Sequence, residues 1–325
     1  MSANPTSFVP TPQETSAPPA RRASAVDALA MSRPRWLDER LYPFTSHFIE
    51  LEGNQIHYVD EGSGPVLLFL HANVLWSFQY RNIIKVLRNG FRCIALDYPG
   101  FGLSVPAPGY RNTLLGNSRL VERFIEALGL SDITLIAHDE SVAIGLGVVG
   151  RHESWFRGLV LSNSFAWPLE EYPTIYRFIR VVSSPASRFL IVNFNVVAKY
   201  TVRSIAGGKL SRAERRAYLG PFTNRARRHH QHDLFQTLTR SHDYLADLNE
   251  RMLSLGHMPA LLLFADGDPT YKAGWLDRFE RIFPRHRSVI IQGADHFPQE
   301  HDPEQMAATI REWWDDDVRN ATRRA

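Results

Sequence analysis

The chain has 325 residues, 44% of them apolar, with a formal net charge of +3. That length fits one α/β core carrying an insertion, and the apolar fraction supports a sizeable core. The near-balanced charge, with Lys and Arg not gathered into one long tract, argues against nucleic acid as the main partner. No apolar stretch reaches the ~20 residues that a bilayer span needs. The N-terminus lacks the basic-then-apolar order of a secretory signal, so a cytoplasmic location is expected. The single cysteine, Cys93, cannot form an internal disulfide. It lies in the apolar run Phe91–Leu96 and reads as a buried, inert thiol.

In chain order, residues 1–33 are rich in Pro, Ser, Ala and Thr and read as a disordered tail, with Met31 as an alternative start. Phe48–Leu51 and Ile56–Val59 flank Glu52-Gly53-Asn54, the pattern of an antiparallel hairpin. Short continuous apolar runs follow at Val66–Leu70, Cys93–Leu96, Ile133–Ala137, Leu159–Leu161, Ala260–Phe264 and Val289–Ile291. Strands covered by helices on both faces read this way. Helices are expected at 77–88, 114–128, 142–151, 274–283 and 303–315. The alternation predicts an α/β fold of the α/β-hydrolase type, a doubly wound and mostly parallel sheet with its site at the carboxyl ends of the strands. One helical segment, 167–245, breaks the alternation and is expected as an inserted cap between core segments 34–166 and 246–325. It is rich in Arg, including Arg177, Arg180, Arg212, Arg215, Arg216, Arg225, Arg227 and Arg228. These charges read as a solvated outer face, with attraction for an anionic substrate as the alternative.

The local signal for chemistry is Leu135-Ile136-Ala137-His138-Asp139-Glu140-Ser141-Val142-Ala143. A strand enters a helix with small residues two before and two after Asp139, the spacing of a nucleophile elbow. The competing reading makes Asp139 a helix cap. Downstream, acids follow the Ala260–Phe264 strand at Asp266 and Asp268, and His296 stands in the loop after the last strand. Nucleophile, acid, histidine is the chain order this fold requires. Asp268 is preferred to Asp266 as the acid, and Asp295 is expected to point elsewhere. An aspartate nucleophile restricts the reaction. Alkylated at saturated carbon it becomes an ester, which a His296-activated water can cleave, whereas a serine would become an inert ether. Asp268 would orient His296, and backbone N–H groups after the first parallel strand and after Asp139 would hold the oxyanion. The reactants are then a small organic molecule and water, with no cofactor and no metal.

Five further stretches carry a resemblance. They are Tyr58–Pro65, Leu70-His71-Ala72-Asn73, Trp76–Ile84, Asp97-Tyr98-Pro99-Gly100-Phe101-Gly102-Leu103-Ser104 and Asn163-Ser164-Phe165-Ala166-Trp167-Pro168. From about residue 42 to 315 the chain resembles the haloalkane dehalogenases. The resemblance implies the roles given to Asp139, His296 and Asp268, and makes Asn73 a halide-binding amide. Asn163 stands where one branch of that family keeps its acid. With Asn73, Glu140 and Trp167 complete the set expected around the substrate or leaving group.

The elbow departs from that family. Its typical Asp-Trp-Gly-Gly is here Asp139-Glu140-Ser141-Val142, and Ala72 replaces a glycine. The missing tryptophan ordinarily donates its indole N–H to the departing halide, and an ionised Glu140 would repel it. Either Glu140 turns away towards the start of its helix, or burial beside Asp139 keeps it neutral and able to protonate a leaving oxygen. The breadth of the resemblance favours carbon–halogen hydrolysis. Epoxide or β-lactone hydrolysis on the same scaffold is the alternative, and a non-catalytic small-molecule binder is the third reading.

Overall fold

The computed structural model describes residues 33–319. The tail expected over 1–33 lies, apart from Arg33, outside the described residues. Eight strands form one sheet: β1 (His47–Leu51), β2 (Asn54–Glu61), β3 (Val66–Leu70), β4 (Arg92–Leu96), β5 (Ile133–His138), β6 (Phe156–Ser162), β7 (Ala260–Ala265) and β8 (His286–Ile291). Their spatial order is β1-β2-β4-β3-β5-β6-β7-β8. β1 and β2 pair antiparallel through a turn in which Glu52 and Gly53 take positive φ. β2 runs antiparallel to β4, and every pairing from β4 to β8 is parallel. The α/β-hydrolase fold expected from the alternation is therefore the observed one. Every residue of β5 and β7 is buried, as strands covered on both faces must be. Cys93 lies within β4, where burial pushes its thiol up to about 12.

The core helices are α1 (Arg81–Leu87), α2 (Leu114–Leu128) and α3 (Glu140–Val149). The helix expected at 77–88 opens as a 3₁₀ turn, Ser77–Tyr80, before α1. α2 starts where Thr113 accepts from Gly116 N–H at 2.9 Å, and stops at Gly129 in the left-handed region. α3 begins two residues earlier than the spacing predicts and is buried along its whole length. A Cβ on Gly147 would run into the hydroxyls of Tyr244 and Ser118, so both side chains would have to give way to any larger residue.

Between β6 and β7 lie α4 (Pro173–Val182), α5 (Pro185–Phe194), α6 (Val196–Ser204), α7 (Arg212–Leu219), α8 (Arg225–Leu238) and α9 (His242–Met252). Residue 245, where the cap was expected to end, falls inside α9, and Tyr244 already bonds to Ala143 O of α3 at 2.8 Å. The segment lands on loops at the carboxyl ends of β3 and β4. Asn73 donates to Gln231 O at 3.3 Å, Trp76 Nε1 to Ala217 O at 3.2 Å, and Arg227 to Gly102 O at 2.8 Å. Arg81, buried over the Phe78 ring, pairs with Glu214 of α7 at 2.6 Å and with Glu300. The Arg-rich segment divides in two. Arg177, Arg180, Arg212, Arg216 and Arg225 are exposed. Arg228 instead ties the carbonyls of Val192, Asn193, Phe222 and Thr223.

After β7 come α10 (Pro269–Lys272) and α11 (Trp275–Ile282), and after β8 come α12 (Pro298–His301) and α13 (Pro303–Trp313). Among the described residues, no helix is long and apolar enough to cross a membrane.

Candidate active site

The elbow sits where β5 gives way to α3. Asp139 holds φ 55° and ψ −136°, a conformation that L-residues rarely keep unless the surroundings impose it. Its backbone N–H donates to Ser162 O at 3.3 Å, and its own carbonyl accepts from Val142 N–H. The side chain makes no capping hydrogen bond to α3, so the cap alternative finds no support. It points instead at a histidine: Asp139 Oδ2 lies 3.5 Å from His296 Nε2.

His296 stands in the loop between β8 and α12, with about a third of its side chain exposed. Its Nδ1 is 2.5 Å from Asp268 Oδ2. Asp268 is fully buried at the start of α10, where Thr270 N–H donates to its other oxygen at 2.6 Å and the Thr270 hydroxyl bonds it as well. Asp266 turns to Gly293 N–H at 2.8 Å, and Asp295 accepts from Phe297 N–H at 3.2 Å. Of the three loop acids only Asp268 therefore reaches His296. Burial alone would lower the His296 pKa, but Asp268 and Asp139 on either side raise it well above the ordinary value. Burial would likewise raise Asp139, and the His296 hydrogen bond and charge outweigh it, holding the carboxyl below the usual aspartate range.

Glu140 does not turn away. The residue is 1% exposed, and its carboxyl lies close enough to Asp139 for the charge there to act on it. Burial first, then the Asp139 charge, raise its pKa well above that of an ordinary glutamate. One oxygen, Oε1, finds no N–H or O–H donor. Of the two adjacent carboxyls, the buried Glu140 therefore holds a proton more readily than the half-buried Asp139. Asn73 is buried in the same corner, its Oδ1 accepting from Val74 N–H at 2.7 Å and its amide donating to Gln231 O. The loop carrying it is fixed by His71, which bonds Ala72 O at 2.9 Å and accepts from Tyr98 N–H at 3.0 Å. Ser141 donates to His71 O and so ties the elbow to that loop. Trp167 stands apart. Its ring packs on Tyr172, Trp275 and Phe279, with Arg278 over its face, and its buried indole N–H has no hydrogen-bond partner.

Sequence reasoning passes over one support, His138, and notes another, Asn163, without its role. His138, the last residue of β5, lies with its ring 4.9 Å from that of His296 and its Nδ1 3.0 Å from Ser162 O. Burial, then the His296 charge, push its pKa down to about 3, so it is a neutral neighbour. Its place directly before the elbow residue was the available signal. Asn163, at positive φ, donates to the carbonyls of His296 (3.0 Å) and Asp295 (3.3 Å) and accepts from Ala265 N–H (2.9 Å). The amide thus fastens the histidine loop to the end of β7. Among the described residues, no group of three or more His, Cys, Asp or Glu side chains is placed to hold a metal ion.

Comparison with known proteins agrees with the fold. A family model described as the alpha/beta hydrolase fold matches residues 65–303. Haloalkane dehalogenase 2 of Mycobacterium tuberculosis is 34% identical over 277 residues, which cover 85% of this chain and 96% of that one. A cis-3-alkyl-4-alkyloxetan-2-one decarboxylase of Shewanella oneidensis is 26% identical over 285 residues, covering 84% and 89%. The crystal structure of haloalkane dehalogenase DbeA from Bradyrhizobium elkani superposes with a TM-score of 0.75 at 22% identity, over 83% of this chain and 97% of that one, a likeness of fold. The chain belongs to the haloalkane dehalogenase family of α/β-hydrolase-fold enzymes.

Proposed function

We propose that this enzyme opens a strained cyclic ether or ester, with Asp139 as nucleophile and Glu140 as the acid for the departing oxygen. The observation that supports the reading is the adjacent pair: Asp139 facing His296 at 3.5 Å, and a buried Glu140 beside it whose carboxyl is held towards its neutral form. Asp139 attacks the saturated carbon that bears the ring oxygen. The C–O bond breaks, an aspartyl ester forms, and an epoxide oxygen takes the proton of Glu140. Alkylation removes the negative charge of Asp139, so His296 loses one of the two groups that hold its proton. It can then take a proton from water, with Asp268 orienting the ring and stabilising the imidazolium. The hydroxide attacks the ester carbonyl, and backbone N–H groups of Asn73 and Glu140 receive the oxyanion. Collapse expels the product alkoxide, which takes the proton held on His296, and the Asp139 carboxyl left behind passes its proton to Glu140, restoring the starting state.

Carbon–halogen hydrolysis is the second reading, and the relatives named haloalkane dehalogenase favour it. Against it, no tryptophan follows Asp139, and the Asn73 amide is already committed in part to Gln231 O. The relative named an alkyloxetanone decarboxylase favours the oxygen reading. Trp167 is not needed in either scheme.

Bromoalkanes, epoxides and β-lactones assayed side by side test the proposal, with Glu140→Trp as the reciprocal arm. An oxygen leaving group predicts epoxide or lactone turnover in the native enzyme, lost in Glu140→Trp. Turnover confined to bromoalkanes, and raised by Glu140→Trp, would overturn it.

A further inference from the structure

The outward face of the cap-like helices has a composition that neither the fold nor the reaction uses. From Tyr172 to Ala213 the sequence holds seven Lys or Arg residues and no Asp or Glu. Most of the large apolar side chains exposed among the described residues fall in this same stretch. They include Phe178 (65% exposed), Phe189 (60%) and Tyr200 (75%), with Val181, Leu190 and Phe194 beside them. Basic and apolar residues alternate closely: Arg177 precedes Phe178, Arg180 precedes Val181, Arg188 precedes Phe189 and Lys199 precedes Tyr200. α4, α5 and α6 follow one another through the short turns at Ser183–Ser184 and Asn195. Phe189 and Phe194 meet edge to face, with ring centroids 6.0 Å apart.

These side chains are not surplus from the core. Each helix already buries a second apolar face, through Ile179 and Val182, Ile191 and Val192, or Ala198 and Val202. Exposed Phe and Tyr gathered on consecutive helices mark an interaction surface, because isolated monomers rarely present such patches. Its charge selects the partner. A second copy docked through the same face would bring like charges together, whereas an anionic surface complements them. Aromatic and aliphatic side chains interleaved with Lys and Arg fit the boundary between lipid headgroups and acyl chains.

We propose that α4–α6 dock the enzyme on an anionic lipid surface, with Phe178, Phe189 and Tyr200 entering the interface and the arginines pairing with headgroups. No helix of the described residues is long and apolar enough to cross a bilayer, so the contact lies on the membrane. This contact is independent of the chemistry at Asp139.

The test is flotation of the full chain with vesicles of phosphatidylcholine alone and of phosphatidylcholine with about a third phosphatidylglycerol. Binding should need the anionic lipid and weaken with added salt. Joint replacement Arg177→Gln, Arg180→Gln and Arg188→Gln should lower partitioning about a hundredfold, at ~1 kcal/mol for each charge near the surface. Joint replacement Phe178→Ser, Phe189→Ser and Tyr200→Ser should abolish it. Unchanged thermal melting of both variants separates lost docking from lost folding. Equal affinity for the two vesicle types, no affinity for either, or a dimer dissociated by the aromatic replacements would overturn the proposal. The last result would give the surface to a second copy of the chain.

Discussion

Among the described residues, two buried aspartates each grip a histidine, and one of those histidines also faces a third side chain, Asp139. In the first, Asp97 lies 2.8 Å from His57 Nδ1, and both side chains are fully buried. Every polar atom there is used. Asp97 also accepts from Ser77 N–H at 2.8 Å and Leu103 N–H at 2.9 Å, and His57 Nε2 meets Ser46 Oγ at 3.0 Å. In the second, Asp268 likewise grips His296 Nδ1, but Nε2 is left facing Asp139 at 3.5 Å on a partly exposed side. The same two residue types thus serve a joint between β2, β4 and their loops in one place and, on the proposed function, a reactive array in the other. What separates them is the far nitrogen. Spent on a structural hydroxyl it stabilises, and left open beside a carboxylate on a strained turn it can move a proton.

The largest effect should come from the residue that only the second pair faces. Asp139→Asn should abolish turnover, since an amide cannot attack saturated carbon. A loss of several kcal/mol is expected, each ~1.4 kcal/mol being tenfold in rate. Initial rates, measured before deamidation can restore the acid, check this. A loss below about tenfold would end the assignment.

Next in size is Glu140→Gln, which keeps shape and hydrogen bonding but has no proton to give. Turnover of an epoxide should fall by the roughly 10²–10⁴ of a lost general acid. In the unaltered enzyme, activity should decline as pH rises through the raised pKa of Glu140, because only the neutral form donates. That alkaline limb should vanish from the residual activity of the variant, and its persistence would point to another group.

Asp97→Asn should have the smallest effect on chemistry and a large one on stability. Turnover per folded molecule should stay near the native value, while a broken buried pair costs about 3–5 kcal/mol in denaturant titrations. The pH dependence follows from the sign of the shift. Burial would raise the Asp97 pKa, yet the His57 and His71 charges and the Leu103 N–H outweigh it and depress it. Its stabilisation is therefore present above the unfolded aspartate pKa of about 4 and is lost as pH falls through the lower folded value. A variant that loses turnover while keeping its stability would reverse the two roles.

The contrast also explains what the sequence disclosed. The succession of strands along the chain, the elbow at Asp139 and the positions of Asp268 and His296 after their strands are legible, because each depends on local pattern and chain order. The start of α3 at Glu140, not 142, was not, since the tight turn at Asp139 lets the helix begin at the next residue. The direction of Glu140 was equally hidden. It depends on the Asn73 loop, which His71, Tyr98 and Ser141 place through contacts distant in sequence. The motif around Trp167 suggests the substrate side, whereas its ring packing with Trp275 and Phe279 depends on α11, which no local pattern reveals. The Asp97–His57 pair leaves no local signature either, because its partners come from separate strands.

The central claim is that an aspartyl ester forms on Asp139 and is cleared by water activated at His296. Replacing His296 with Ala leaves the nucleophile intact and removes the base, so alkylation should proceed and hydrolysis should stall. Intact-mass spectrometry of that variant after exposure to an epoxide should show the protein heavier by one whole substrate, with the added mass on the peptide containing Asp139. An unmodified mass, or an adduct on any other peptide, would contradict the two-step account.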